Sequence, residues 1–273
     1  MTPANNPASE PAPLRDAATV VLVRDTADGI EVFLQRRVRQ MAFAGGVTVF
    51  PGGGVDSRDA EADIGWTGPD PGRWADWFHT DDKTAQALVC AAVRETFEEC
   101  GVLLATRSDG TVSDPGAFAT QRGALVDKSL SLAEFLRTEE MTLRADLLRP
   151  LAHWITPIIE KRRYDTRFFL AALPEGQTAD DETSEAEVAR WARPQAALDA
   201  WVAAEHILLP PTWAQLTHLA DFASVADLLA AERTVEPIEP SVTPGAGLAG
   251  LKFAGSDRYF AVAGDREVPG LSR

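Results

Sequence analysis

Cysteine is almost absent from this chain: Cys90 and Cys100 are the only two in 273 residues, too few for a disulfide framework. On one helix, ten residues would hold them about 15 Å apart, far beyond bridging distance. Neither has basic sequence neighbours of the kind that activate a thiolate. A reducing compartment is therefore expected. Long apolar runs are also missing; none approaches the roughly 20 residues needed to span a bilayer. The N-terminus lacks the apolar core of a signal peptide, so the expected location is the cytoplasm, away from membranes. Basic residues are in deficit, with 26 Lys and Arg against 41 Asp and Glu and a formal charge of −15. Such a field disfavours nucleic acid and anionic lipid as partners. An anionic small molecule would need a local basic patch or a bound cation. The four histidines, His79, His153, His206 and His218, are scattered without metal-ligand spacing.

What is present reads as one α/β unit with additions at both ends. Residues 1–14, rich in Pro, Ala and Asn, are expected as a tail. Ala17–Arg24 and Ile30–Arg36 are β-rich runs around a DTADG turn and predict a hairpin. The stretch Met41–Gly46 then leads to a short strand at Val47–Phe50 and the turn-like run Pro51-Gly52-Gly53-Gly54. Residues 55–80 lose all periodicity and hold three of the seven tryptophans. They are expected as an ordered surface insertion, its tryptophans serving as a lid, a dimer contact or core. From Asp82 to Cys100 the apolar residues fall on one face at 3.6-residue spacing, with Asp81 or Asp82 to cap the start and Gly101 the end. Strands are expected at Val102–Ala105 and Phe168–Leu173. Helices are expected at Leu132–Arg137, Leu143–Leu148, Pro194–Ala204 and Trp213–Arg233. Ser184–Trp191 suits a strand or a helix, and Tyr259–Val262 a strand.

The end of the long helix, Arg94-Glu95-Thr96-Phe97-Glu98-Glu99-Cys100-Gly101, is electrostatically odd. Three carboxylates meet the negative end of the macrodipole, and their i, i+3, i+4 spacing brings them onto one face where they repel. A hard divalent cation such as Mg²⁺, bound through carboxylates and bridging to phosphate, would relieve the repulsion. A solvated acidic helix end is the plain alternative.

A glycine-rich turn after a strand, followed by a helix carrying R-E-x-x-E-E-x-G, resembles the signature of the Nudix hydrolase superfamily. Gly53 matches the glycine that opens the motif and Asp59 its acidic residue six positions on, with Asp in place of Glu. About 27 residues are inserted before Arg94. FPGG at Phe50–Gly53, WITP at Trp154–Pro157, RRYDTRFF at Arg162–Phe169 and LPP at Leu209–Pro211 are similar to the coenzyme A diphosphatase-like branch. That branch has a second upstream arginine where this chain has Ala42; Arg37 fits the first.

The resemblance implies a Nudix-type α/β/α sandwich with a mixed sheet over residues 15–235, extended by a helical C-terminal part at 236–273. It implies Mg²⁺- or Mn²⁺-dependent hydrolysis of a nucleoside diphosphate linked to another group, coenzyme A or an acyl-coenzyme A first. ADP-ribose, dinucleotides and nucleotide sugars are the alternative substrates, and a Nudix fold that binds without turnover is the alternative class. Glu98 and Glu99 are then metal ligands, and Glu95 a third ligand or part of proton abstraction. Arg94 orients a glutamate. Gly52 and Gly53 admit the backbone to the metal–phosphate region, Gly53 with a carbonyl for the metal. Glu185 or Glu187 is an extra carboxylate or a surface charge. Phosphate contacts are expected from Arg36, Arg37 and Arg39 and from Lys161, Arg162, Arg163 and Arg167, with Arg37 and Arg163 the preferred pair. The small-molecule diphosphate is the expected partner, together with a possible homodimer.

Overall fold

The computed structural model describes residues 11–38, 46–61, 63–107, 114–180, 186–243 and 250–264. The expectations for residues 1–10 and 41–45, and for Arg39, Ser184 and Glu185, lie outside these. In the N-terminal hairpin, β1 (Leu14–Thr26) and β2 (Gly29–Arg37) pair antiparallel from Val23↔Val32 to Thr26↔Gly29. Gly29 takes a left-handed φ of 106° at the turn, and Thr26 Oγ1 donates to its carbonyl at 2.8 Å. β3 (Thr48–Val49) adds to β2. Gly52–Gly54 is a strand, β4, pairing with Ala17–Thr19 of β1, not the turn expected. A Cβ at Gly52 would lie 2.4 Å from the Ala18 carbonyl oxygen, so only glycine lets β4 lie this close.

Within residues 55–80, the apolar face of one helix turns inward. After β5 (Gly65–Thr67), α1 (Pro71–Phe78) starts at Asp70, whose carboxylate accepts from Arg73 N, and ends at His79 in the left-handed region. Trp74 and Phe78 are fully buried, with ring centroids 5.3 and 5.1 Å from Phe169 of the sheet. Of the uses expected for its tryptophans, Trp74 takes the core one, while most of the described segment around it stays half-buried or exposed. Helix α2 (Asp82–Cys100) runs as its periodicity dictates, from Asp81, whose carboxylate accepts from Thr84 N, to Gly101 at φ 69°. It is buried nearly all round because the sheet packs on one side and the inserted segment on the other.

Downstream, β6 (Ala105–Arg107) begins where the expected strand ends; before it, both backbone groups of the buried Leu103 bond the Gln177 side chain at 2.9 Å in place of a neighbouring strand. Two short helices follow, α3 (Ala119–Val126) and α4 (Leu132–Thr138), the latter with a full capping box between Ser131 and Glu134. The helix expected at Leu143–Leu148 is instead the end of β7 (Met141–Arg144), whose burial alternates with a strand's period of two, then a single 3-10 turn at Ala145–Leu147 and the start of β8 (Leu148–Ile155). β9 (Arg163–Ala172) pairs parallel with β1 and antiparallel with β8. Of the expected Ser184–Trp191, the described part is a strand, β10 (Ala186–Ala192), on β2. Then come α5 (Pro194–Val202), α6 (Pro210–Leu219) and α7 (Val225–Ala230). The last two replace one long helix, because Ser224 caps a new start by accepting from Asp227 N. β11 (Pro237–Ile238) extends the sheet at β8, and β12 (Ser241–Val242) and β13 (Leu251–Lys252) form a small hairpin. Tyr259–Val262 is helical, within α8 (Ser256–Ala263), and the buried Tyr259 stacks on Trp201 at 5.5 Å.

The main sheet runs β10-β2-β1-β9-β8-β11 with β3 and β4 attached. One core lies on its α1/α2 face around Trp74, Leu88 and Phe169; a second lies under α5, α6 and α8 around Leu170, Trp201 and Leu216. This is an α/β/α sandwich with a mixed sheet.

Candidate active site

A cavity of about 890 Å³ opens where the C-terminal end of α2 meets β4. Its acidic wall holds Glu95, Glu98 and Glu99, with Arg94 among them and Gly52–Gly54 opposite. Arg94 is buried and organises the group. Its Nε donates to Asp59 at 3.1 Å, and Nη2 donates to Asp59 at 3.0 Å and to the Gly54 carbonyl at 3.0 Å. Its Nη1 donates to Glu95 at 2.8 Å and to Glu98 at 3.3 Å. Burial works against this guanidinium's charge, but Glu95, Asp59 and Glu98 outweigh it and hold its pKa above the ordinary value. The Glu98 carboxyl is raised: burial dominates, and Arg94 only partly offsets it. The Glu99 carboxylate accepts from Gly52 N at 2.7 Å, while Gln35 on β2 donates to the Glu99 carbonyl at 3.1 Å. Glu95 packs on the Gly53 backbone so closely that a Cβ there would lie 2.5 Å from its Oε1.

Among the described residues, no group of three or more His, Cys, Asp or Glu side chains is gathered to hold a metal ion. Arg94 Nη1 lies between Glu95 and Glu98, and Glu99 is engaged with Gly52. The expected trio is therefore not assembled by itself in this conformation. The donor set still fits a hard divalent cation: three glutamates line one cavity and offer it oxygen atoms only.

Strand alternation sorts the expected cations. Gln35 reaches α2, so Arg37, two residues on, shares that side of β2 and lines the cavity, whereas Arg36 points to the opposite side. On β9 the cavity face is Tyr164, Thr166 and Phe168. Arg163 and Arg167 belong to the other face, which corrects the choice of Arg163. Its Nε donates to Thr156 O at 3.0 Å and its Nη2 to Glu239 at 2.7 Å. Arg167 pairs with Asp16 at 2.8 Å and Asp165 at 2.9 Å. Lys161 and Arg162 are exposed and do not line the cavity, nor does Glu187, which faces Arg36 at 3.6 Å.

Three cavity-lining cations escaped sequence reasoning: Arg15, Arg122 and Lys128. Arg122 on α3 forms a fork to Asp180 at 2.7 and 2.8 Å, and its Nε donates to the Glu98 carbonyl at 3.1 Å. It thus sets a cation against the C-terminal end of the glutamate helix. An apolar wall is formed by Phe50, Trp154, Pro157, Phe168, Leu209 and Leu251, with Thr19, Thr156, Thr166 and Thr212 also lining the cavity.

A family model described as the NUDT19 Nudix domain matches residues 76–219, more than half of the chain. The chain belongs to the Nudix family. It is similar to the human protein named acyl-coenzyme A diphosphatase NUDT19, with 28% identity over 238 residues covering 74% of this chain and 64% of that one. It is also similar to putative nudix hydrolase 7 of Caenorhabditis elegans, with 30% identity covering 76% and 60%. The chain thus spans between 60% and 64% of the length of these two relatives. Among solved structures, a NUDIX hydrolase from Alicyclobacillus acidocaldarius superposes with a TM-score of 0.67 at 29% identity, covering 82% of this chain and 98% of that one. The matched region runs from the end of α1 through α6, so this Nudix member's glutamate helix lies inside it and β4 outside.

Proposed function

We propose that this Nudix member is a divalent-metal-dependent hydrolase of a nucleoside diphosphate joined to a second group, with coenzyme A or an acyl-coenzyme A as its first substrate. One observation carries the reading: the Arg94-ordered glutamates open into the same cavity as a long apolar wall. The relatives named acyl-coenzyme A diphosphatase support the substrate. In this reading Glu98 and Glu99, with Glu95, would hold Mg²⁺ or Mn²⁺. Such an ion, when bound, offsets diphosphate charge and makes water a better nucleophile. Arg37, Arg15 and Lys128 meet phosphate oxygens, and the apolar wall takes the pantetheine and any acyl tail. We assign Glu95 the proton of the attacking water, whose oxygen bonds to one phosphorus as the bridging P–O bond breaks. The products are 3′,5′-bisphosphorylated adenosine and phosphopantetheine, acylated if the substrate was. Cys90 and Cys100 are buried and held above the ordinary thiol range by that burial, which suits a reducing compartment such as the cytoplasm.

The test is turnover of coenzyme A, acetyl-coenzyme A, ADP-ribose, NADH and diadenosine polyphosphates with Mg²⁺ or Mn²⁺, with Glu98→Gln in parallel. Preferred, Glu98-dependent cleavage of the coenzyme A species supports the proposal. Preferred cleavage of another substrate keeps the chemistry and rejects the substrate. Binding without product from any of them favours a ligand-binding module, a reading to which the Arg94-filled glutamate cluster lends some support.

A further inference from the structure

On the sheet face away from the glutamates, a second cavity of about 260 Å³ lies between β2, β3, β10 and the turn joining α5 to α6. Its lining includes Arg36, Thr48, Val188, Arg190 and His206, together with one carboxylate, that of the exposed Glu205. The strand registers explain the convergence. Arg36 pairs with both Thr48 and Val188, and Arg190 pairs with Leu34, so these side chains share one face. Thr48 N donates to the Ile207 carbonyl at 2.8 Å and ties the turn carrying His206 to that face.

The hydrogen-bonding inventory is one-sided. Arg190 Nη2 lies 2.8 Å from His206 Nε2, and a guanidinium nitrogen only donates, so Nε2 accepts. The proton of the neutral imidazole is then on Nδ1. Burial, with Arg190 and Arg36 nearby, lowers the pKa of His206 and favours that neutral form. Among the described residues, Arg36 Nε, Thr48 Oγ1 and His206 Nδ1 are all buried without a hydrogen-bond partner. The Glu187 carboxylate stands 3.6 Å from Arg36 Nε, too far for a hydrogen bond. Buried polar groups are nearly always satisfied, so three such atoms on residues of one small cavity call for a partner. Two are donors and the hydroxyl can be a third, and two guanidinium charges flank them. The matching ligand is rich in acceptors and negatively charged.

We propose that this cavity is a second binding site, specific for a small oxyanion of the size of inorganic phosphate, held by Arg36, Arg190, His206 and Thr48. It is separate from the glutamate cavity and does not depend on the function proposed there.

The experiment is a titration of the whole protein with inorganic phosphate, read by proton NMR at the His206 imidazole. That resonance is assigned by its loss in His206→Gln, and sodium chloride of matched ionic strength is the control. The site-resolved signal excludes phosphate binding at the arginines of the larger cavity. A saturable shift with phosphate and none with chloride is expected. Arg190→Met and Arg36→Met, each checked for an unchanged thermal midpoint, should weaken the apparent Kd by about tenfold or more, as loss of a charge-assisted contact does. If Arg36→Met does not fold, Arg36→Lys keeps the charge, lacks the Nε–H and should still weaken binding. The proposal is overturned if the His206 resonance does not move, moves equally with chloride, or keeps its phosphate affinity in these variants.

Discussion

Arg94→Met is the most informative single change, because it separates the structural task of the glutamate cluster from its chemical one. The methionine fills similar space but removes the charge that faces Asp59 at 3.0 Å, Glu95 at 2.8 Å and Glu98 at 3.3 Å, with the arginine side chain only 9% exposed. Removing one partner of a buried ionic cluster costs about 3–5 kcal/mol, because the charges left behind are uncompensated. That is a large part of the roughly 5–15 kcal/mol by which domains are stable. The loss should depend on pH with a defined sign. The folded-state pKa of Glu98 already lies above its ordinary 4.5, mainly through burial, and Arg94 is the largest influence lowering it. A raised carboxyl contributes stability below the unfolded pKa and loses it as pH rises through the folded value. Without Arg94 that loss deepens, so the variant's deficit should be greatest near pH 8 and shrink toward pH 5. Urea denaturation at both values, with and without Mg²⁺, measures it, and added Mg²⁺ should restore part of the deficit. A variant within about 1 kcal/mol of the parent at pH 8 would refute the reasoning, since that is the scale of a surface pair. So would a deficit equal at both pH values.

Trp74→Ala should cost about 3–5 kcal/mol by urea denaturation, because the ring is fully buried against Phe169; a surface role for residues 55–80 predicts almost no cost. Gly53→Ala should lower kcat by about a hundredfold or more while the protein still folds, since the new Cβ forces the Glu95 carboxyl from its place. Circular dichroism and saturating-substrate kinetics report the two effects separately. Arg122→Ala and Asp180→Ala should each impair turnover, and the double variant should be little worse than either single one, because the two side chains form one bidentate unit. Additive effects in that double-mutant cycle would break the link. Glu98→Gln should abolish turnover, yet melt at or above the parent temperature at pH 7 to 8 by calorimetry.

The elements legible in the sequence were those whose information is local. Helix α2 carries its own period, an Asp at its start and a glycine at its end, and its observed bounds are those read from the pattern. Leu143–Leu148 misled because a short apolar run suits either state until its pairing partner is known, and here β7 and β8 meet β6 and β9. The destination of Trp74 was also tertiary information: nothing near it in sequence announces Phe169. At the site, the glutamates and Arg37 follow from a motif and a strand. Arg163 was misplaced because the parity of β9 relative to the cavity depends on its register with β1. Arg122 had no local signature, since its role arises from α3 packing against the far end of α2 and from Asp180 in a separate segment.

The opposing charges at the end of α2 have two separate compensations, and their separation explains why Glu98 can be changed without unfolding the rest. The backbone end is satisfied by Gly101, whose N–H donates to the Phe97 carbonyl, and by Arg122 on the Glu98 carbonyl. The side chains are served by Arg94, and that guanidinium is held by more than the glutamates. Its Nε and Nη2 are fixed by Asp59 and the Gly54 carbonyl, and only Nη1 turns to Glu95 and Glu98. Loss of the Glu98 charge therefore removes the weakest of these contacts, at 3.3 Å, and leaves the anchor intact. It also removes a buried carboxylate whose desolvation exceeds what Arg94 returns. A group that costs stability when charged is what an active site retains for its chemistry. A calorimetric midpoint that falls by several degrees in Glu98→Gln would assign the residue to the scaffold instead.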